Sequence, residues 1–94
     1  MAKIILQGHI VIPDDDLAMV LVHLPEHIEL TNREPGCLVF EVTQDPDNEN
    51  ILNVYEEFTD QQAFEAHQAR VQNSRWGSVS ANAERHYRIT EGSG

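Results

Sequence analysis

The chain has 94 residues, 40% of them hydrophobic, and its 16 acidic residues against 6 basic ones give a formal charge of -10. This length fits a single domain over residues 1–94, and the charge argues against nucleic acid and anionic membranes as partners. One cysteine, no signal-peptide pattern and no stretch near the ~20 apolar residues of a membrane span predict a cytoplasmic protein with no membrane contact.

A strand and a long helix are the first elements predicted in chain order. Residues 3–12 are rich in β-branched side chains, which favour a strand. Pro13 and the three aspartates at 14–16 then indicate a helix start, where the aspartates are cap candidates and suit the helix dipole. Apolar residues at helical spacing predict an amphipathic helix over residues 15–33, which Pro25 should kink or divide in two. The sequence EPG ends it.

A β-hairpin follows, because the strand-like runs CLVFEVTQD and NILNVYEEF flank the turn-forming PDNE. Thr59 or Asp60 can cap a second helix, which extends to about Asn73. Residues 75–84 are predicted to form a helical turn or short helix and residues 85–90 a last strand. Residues 92–94 are predicted to be a flexible tail.

This order of elements is the βαββαβ pattern of a ferredoxin-like α+β sandwich with a four-stranded antiparallel sheet. Strand alternation places apolar residues on both faces of that sheet. They are Ile4, Leu6 and Ile10 against Ile5 and Val11 in the first strand, and Leu38, Phe40 and Val42 against Cys37 and Val39 in the second. Both apolar faces of the sheet must be buried by packing against another layer, and the helices of one subunit can bury only one of them. The sequence therefore predicts a homodimer.

The sequence AFEAHQARV places His67 on the same helix face as Phe64, toward the sheet. Position alone favours a buried, hydrogen-bonded histidine over a catalytic one. A carboxylate opposite would change that balance, and Glu56 and Glu57 in the third strand must point to opposite faces. The inward one would form an acid–base pair with His67 and favour its protonated state. It stays open which glutamate that is, and whether these carboxylates instead face solvent or a subunit interface.

Other polar and aromatic residues suit a pocket for a flat, oxygen-bearing organic molecule, which needs apolar walls and a few convergent polar groups. The candidates for substrate binding are Asn53, Tyr55, Phe64, Trp76 and His27. His23 and His27 are four residues apart, but Pro25 lies between them and no third ligand follows at a diagnostic spacing, so no metal site is predicted. Nucleotide-binding and serine-hydrolase motifs are also absent from the sequence.

Three segments, LTNREPGCLVFEVTQD, NVYEEFTDQQAFEAH and ERHYRI, resemble the antibiotic biosynthesis monooxygenase family of small, quinol-monooxygenase-like proteins. The most specific part is YEEFTDQQAFEAH, where a strand glutamate, a turn, an aromatic and a histidine follow in the family's order. The resemblance implies a dimeric α+β barrel. It also implies a cofactor-independent and metal-independent reaction of a quinol or polyketide-like aromatic with O2, with Glu56 and His67 at the matching motif positions.

In that reaction His67 would be the base or proton shuttle, Glu56 or Glu57 its orienting partner, and Asn53, Tyr55 and Trp76 the groups facing the substrate. The alternative is a dimeric small-molecule binding protein or isomerase of the same fold, without oxygen chemistry. The haem-degrading relatives fit less well, because the neighbours of Trp76 do not reproduce their asparagine, tryptophan and histidine arrangement.

Overall fold

A computed structural model describes residues 2–92 of the chain. The order of elements is strand, helix, two strands, two helices and a strand, so the predicted ferredoxin-like α+β fold is confirmed. The elements are β1 (Lys3–Val11), α1 (Asp14–Asn32), β2 (Cys37–Gln44), β3 (Ile51–Phe58), α2 (Gln61–Gln72), α3 (Arg75–Val79) and β4 (Glu84–Gly92). No helix in these residues is long and apolar enough to cross a membrane.

The four strands form one antiparallel sheet in the order β2-β3-β1-β4. All three helices pack on the same face, which we call the inner face. Alternation sends Ile4, Leu6 and Ile10 of β1 inward, as the sequence predicts, and each is at most 2% exposed. The outer face carries the intervening residues of each strand and is only partly buried.

Helix α1 differs from the prediction in its start and in the effect of Pro25. Pro13 occupies the N-cap position without a side-chain cap, and the three aspartates instead form the first turn, where their charge still suits the helix dipole. The helix also runs past Pro25 without dividing. Pro25 is exposed, so the hydrogen bond it cannot donate is lost on the solvent side, while buried Val20, His27 and Thr31 hold both halves against the protein.

Strand β2 contains a bulge that the sequence pattern does not show. Cys37 pairs with Phe58 and Val39 with Glu57, so Leu38 is an extra residue in the ladder. The prediction that Leu38 shares a face with Phe40 and Val42 is therefore wrong, and its side chain is 53% exposed.

Strand β4 is longer than the predicted 85–90 and includes Gly92, which pairs with Lys3. The prediction of a flexible tail is wrong for Gly92, because the β1 ladder continues to that residue; positions 93 and 94 lie outside the described residues. Beyond the cover of the helices, β4 leaves Tyr87 and Ile89 exposed at the edge of the sheet.

Candidate functional site

Helix α2 carries His67 into the inner core. Asp60 caps the helix by accepting a hydrogen bond from the Ala63 N–H at 2.8 Å, so the predicted cap residue is found. The helical period then turns Phe64 and His67 toward the sheet, where His67 is 3% exposed. Its ring lies 4.9 Å from the Phe58 ring and 5.8 Å from the Phe40 ring, measured between centroids.

Glu34 is the direct partner of His67. Its carboxylate lies 3.1 Å from His67 Nδ1, and Arg70 Nε donates to the same carboxylate at 2.5 Å. Arg70 also donates to Thr31 Oγ1 at 2.8 Å, which ties α2 to the end of α1. The sequence interpretation missed Glu34, because EPG indicates a helix end. The available signal was its spacing after His27 and Thr31, which continues the inner face of α1.

Glu56 approaches the other side of the His67 ring from β3. It lies between Val54 and Phe58 on the inner face, with Oε1 3.7 Å from His67 Nε2. Burial, reinforced by the charge of Glu34, raises the pKa of the Glu56 carboxyl to about 7. Of the predicted pair, Glu56 and not Glu57 is therefore the glutamate that faces His67.

His27 closes the cluster on the α1 side. Its ring stacks on the Trp76 indole with centroids 4.5 Å apart and an interplanar angle of 2°, and its centroid lies 6.2 Å from that of His67. Burial, together with the neighbouring His67 and Arg70, lowers the pKa of His27 to about 3, so its imidazole is neutral. The structure thus brings His27 and Trp76 close to His67.

Within residues 2–92, two buried side-chain polar atoms lack a hydrogen-bond partner, and both belong to this cluster: His27 Nδ1 and Glu56 Oε1. Buried polar atoms are normally paired, because an unpaired one costs about 1–3 kcal/mol. Their concentration around one imidazole marks the cluster as a candidate functional site rather than ordinary core.

His67 itself is neutral in this environment. Burial lowers its pKa, and the hydrogen bond with the Glu34 carboxylate only partly opposes that effect. The sequence expectation that a nearby glutamate favours the protonated ring holds for the direction of the Glu34 effect on the pKa, but desolvation of His67 outweighs it. A neutral imidazole between two carboxyl groups can accept a proton and pass it on.

Glu57, Tyr55 and Asn53 lie on the outer face, away from His67. Lys3 Nζ donates to the Glu57 carboxylate at 2.7 Å, and the Tyr55 hydroxyl donates to the same group. Asn53 Nδ2 donates to Asp45 at 3.0 Å. The structure thus separates these three predicted site residues from His67 by the thickness of the sheet. Phe64 lies on the inner face, but as core, with its ring 5.7 Å from that of Phe58.

A surface cavity of about 550 Å³ lies beside the cluster, between the end of α1 and the first turns of α2. We call it the α1–α2 groove. It is lined by Glu34, Pro35, Gly36, Thr59, Asp60, Gln62, Ala63, Ala66 and Arg70. His67 does not line the groove and lies behind Glu34. Glu34 therefore contacts both the groove and the buried imidazole.

These features define a ferredoxin-like α+β protein with a buried imidazole–carboxylate cluster. The model of one family, antibiotic biosynthesis monooxygenase, matches residues 3–76. The chain belongs to this family, and the sequence resemblance to it is confirmed. No curated protein matches the chain.

Solved structures share the fold at low sequence identity. A crystal structure of an antibiotic biosynthesis monooxygenase matches with a TM-score of 0.74 and 24% identity, covering 100% of this chain and 98% of the other. A Bacteroides thetaiotaomicron protein of unknown function, described as a possible oxidoreductase, has a TM-score of 0.75 and 14% identity over 96% and 97% of the two chains. A conserved Methanosarcina mazei protein has a TM-score of 0.69 and 21% identity over 97% and 91%.

Proposed function

We propose that this protein is a monooxygenase that oxidises a small quinol or other hydroxyaromatic molecule with O2 and needs no metal or bound cofactor. One observation carries the proposal: a neutral His67 held in an apolar core between the carboxyl groups of Glu34 and Glu56. Membership of the antibiotic biosynthesis monooxygenase family supports the same reaction class.

A purely structural role explains the cluster poorly. Desolvating ionisable groups costs several kcal/mol each, and apolar side chains of similar volume are often neutral or stabilising in their place. The cluster also leaves Glu56 Oε1 and His27 Nδ1 unpaired. Groups with shifted pKa values collect where proton transfer occurs, and Glu56, with a pKa of about 7, and the neutral His67 fit that task.

The reaction needs little from the protein beyond a proton acceptor. A phenol with a free para C–H loses its hydroxyl proton to give an electron-rich phenolate, which reduces O2. The products are a para-quinone and water, so one oxygen atom enters the ring, the other leaves as water, and no further reductant is consumed. A quinol, whose para position already carries oxygen, reacts in the same way at another free ring C–H and gives a hydroxyquinone and water. His67 is the proton shuttle in this proposal.

Glu56 acts as a positioning residue for the imidazole. With Glu56 neutral, Nδ1–H donates to the Glu34 carboxylate at 3.1 Å. When Glu56 is ionised, its charge 3.7 Å from Nε2 competes with Glu34 for the ring proton and raises the share of the tautomer with the proton on Nε2. Nδ1, on the Glu34 side, is then free to accept the substrate's proton. Glu57 has no part in this step, because it lies on the outer face with Lys3.

Oxygen consumption tests the proposal directly. The purified, metal-stripped protein is offered a panel of hydroquinones and 1-naphthol while dissolved oxygen and quinone absorbance are recorded. We expect uptake above the autoxidation rate, with one O2 consumed for each 1,4-naphthoquinone formed from 1-naphthol and with no hydrogen peroxide released. Failure on every member of the panel would contradict the oxygenase.

A binding protein or isomerase of the same fold is the second candidate. The observation that favours it is that the Glu34–His67–Glu56 cluster moves protons and contains no group that itself reacts with oxygen. This candidate predicts that 1-naphthol or a related ligand raises the unfolding temperature without oxygen uptake, since any ligand of the native state stabilises it.

We further propose that the outer face of the sheet is the interface of a homodimer. Ile5, Val11, Val39 and Ile51 make it partly apolar although no helix of this chain covers it. Asn53, Tyr55 and Glu57 lie on the same face, so their place in this proposal is the subunit interface.

Val39→Asp is expected to shift the protein from dimer to monomer, because it replaces an apolar side chain of that interface by a charge. The matched control is Val22→Asp, at a side chain that is 69% exposed on α1. Sedimentation velocity distinguishes the two species. A dimer that survives Val39→Asp, or a wild-type monomer, would contradict the interface.

A further inference from the structure

Within residues 2–92, His67 is almost completely enclosed in the core. His67 is 3% exposed, and the rings of Phe40, Phe58 and His27 surround it. The α1–α2 groove lies on the other side of Glu34, whose side chain remains 16% exposed. A molecule from solvent therefore meets Glu34 first.

The groove has the size and character of a small-molecule site. Its volume of about 550 Å³ falls within the usual range of about 300–1,000 Å³ for ligand pockets. Pro35, Gly36, Ala63 and Ala66 give it small or apolar walls. A fused-ring aromatic fits such walls better than a flexible polar chain.

Charge restricts the chemistry of the ligand. Arg70 lines the groove, but it already donates to Glu34 and to Thr31, so it is a poor partner for an incoming anion. Glu34 and Asp60 add negative charge to the lining, and the whole chain carries a formal charge of -10. These charges repel carboxylates and phosphates and favour a neutral hydrogen-bond donor.

We propose that the α1–α2 groove binds the neutral form of a planar hydroxyaromatic molecule, whose hydroxyl donates to Glu34, and that Glu34 passes this proton to His67 Nδ1. The binding step stands on the groove alone, whereas the proton step rests on the proposed oxygenase. In the proton step, the ligand O–H bond breaks and the proton moves to a Glu34 oxygen. It then moves to Nδ1 of the tautomer that carries its own proton on Nε2. Glu34 is the catalytic residue, and His67 acts through it.

Filling the groove tests the binding step. Ala66 is exposed on α2 and lines the groove, so Ala66→Trp places a large ring in it with little demand on the core. Ala69→Trp is the matched control, because Ala69 is exposed on the same helix but lies outside the lining. We expect Ala66→Trp to weaken 1-naphthol binding at least about tenfold and Ala69→Trp to leave it unchanged, as measured by fluorescence titration.

A carboxylate probe tests the charge argument. The ring system of 1-naphthoate is that of 1-naphthol, but the molecule is an anion, and we expect it to bind the wild-type protein at least about tenfold more weakly. Three results would overturn the groove as the binding site. They are binding of 1-naphthoate as tight as that of 1-naphthol or tighter, unchanged 1-naphthol binding in Ala66→Trp, and no 1-naphthol binding to the wild type.

The proton step is tested by Glu34→Gln, with Glu34→Asp as a variant that keeps the carboxylate. Glu34→Gln should retain 1-naphthol binding and lose at least about 100-fold in kcat, and Glu34→Asp should recover part of that rate. An unchanged kcat in Glu34→Gln would overturn the relay.

Failure of the groove and failure of the oxygenase give different results. If oxygen uptake depends on His67 but its KM is unchanged in Ala66→Trp, the groove is not the substrate site, whereas the proposed oxygenase is supported. If Ala66→Trp abolishes 1-naphthol binding but the wild-type protein takes up no oxygen with any substrate, the groove is supported as a binding site and the oxygenase is contradicted.

Discussion

His67→Phe is expected to reduce the rate of oxygen uptake at least about 100-fold, because a positioned acid–base group contributes roughly 10²–10⁴-fold to such reactions. The substitution removes both ring nitrogens and keeps a planar ring next to Phe40 and Phe58. An oxygen electrode with the best quinol of the panel measures kcat. Gln68→Phe, at the exposed neighbouring position, is the matched control and should keep the wild-type rate.

The same variant separates function from stability. Removing one partner of a buried polar pair costs stability, because the group left behind loses its hydrogen bond. Glu34 keeps its hydrogen bond from Arg70 but loses the one from His67, so we expect the free energy of unfolding of His67→Phe to fall by about 1–3 kcal/mol, as measured in urea, with the variant still folded in the activity assay. His67→Gln, which keeps a polar side chain, serves as the second variant if the phenyl ring proves too large. Full activity in either variant would remove His67 from the mechanism.

Glu56→Gln is expected to make the protein more stable at about pH 8 while leaving its stability near about pH 4 unchanged. Burial raises the pKa of Glu56 from 4.5 to about 7 in the folded chain, whereas the unfolded chain keeps the ordinary value. Between these two pKa values the folded state binds more protons, so the free energy of unfolding falls as pH rises. The shift corresponds to about 3 kcal/mol above pH 7, which the neutral amide of the Glu56→Gln variant would restore.

Urea unfolding of wild type and variant across this pH range measures the effect. Glu57→Gln is the control, because Glu57 lies on the outer face, where the hydrogen bond from Lys3 lowers its pKa. Loss of the Glu57 carboxylate should slightly destabilise the protein near about pH 8, which is opposite in sign to the effect of Glu56→Gln. Parallel pH curves for wild type and Glu56→Gln would contradict the buried, protonated carboxyl.

Activity should report the same titration. The wild-type kcat should rise through about pH 7 as Glu56 ionises and favours the Nε2–H tautomer of His67. In Glu56→Gln this rise should disappear and kcat should be lower, while KM changes little. A residue that only supported the fold would leave the shape of the pH profile unchanged.

Much of the fold could be predicted, because its signals are local. The hairpin follows from PDNE between two strand-like runs, and the Asp60 cap from one side chain at a helix start. Helix division at Pro25 could not be judged locally, since packing on both sides decides whether a helix survives a lost hydrogen bond. The Leu38 bulge depends on how β2 registers against β3, which alternation within one strand does not encode.

The candidate site was only half visible in the sequence. The placement of Glu56 could have been read from Leu52, Val54 and Phe58, whose alternation marks the inner face of β3. Glu34 could not be found in that way, because its contact with His67 joins positions 33 residues apart on two elements. The protonation of His67 depends on how far burial lowers its pKa compared with how far the Glu34 carboxylate raises it. That balance depends on the three-dimensional arrangement and cannot be predicted from the sequence.

Oxygen-18 labelling tests the central claim most directly. The protein converts 1-naphthol under labelled O2, and mass spectrometry follows the label in the 1,4-naphthoquinone and in water. We expect one labelled oxygen atom in the quinone and the other in water, with no such product from His67→Phe. Label found only in hydrogen peroxide, or an unlabelled quinone, would contradict a monooxygenase.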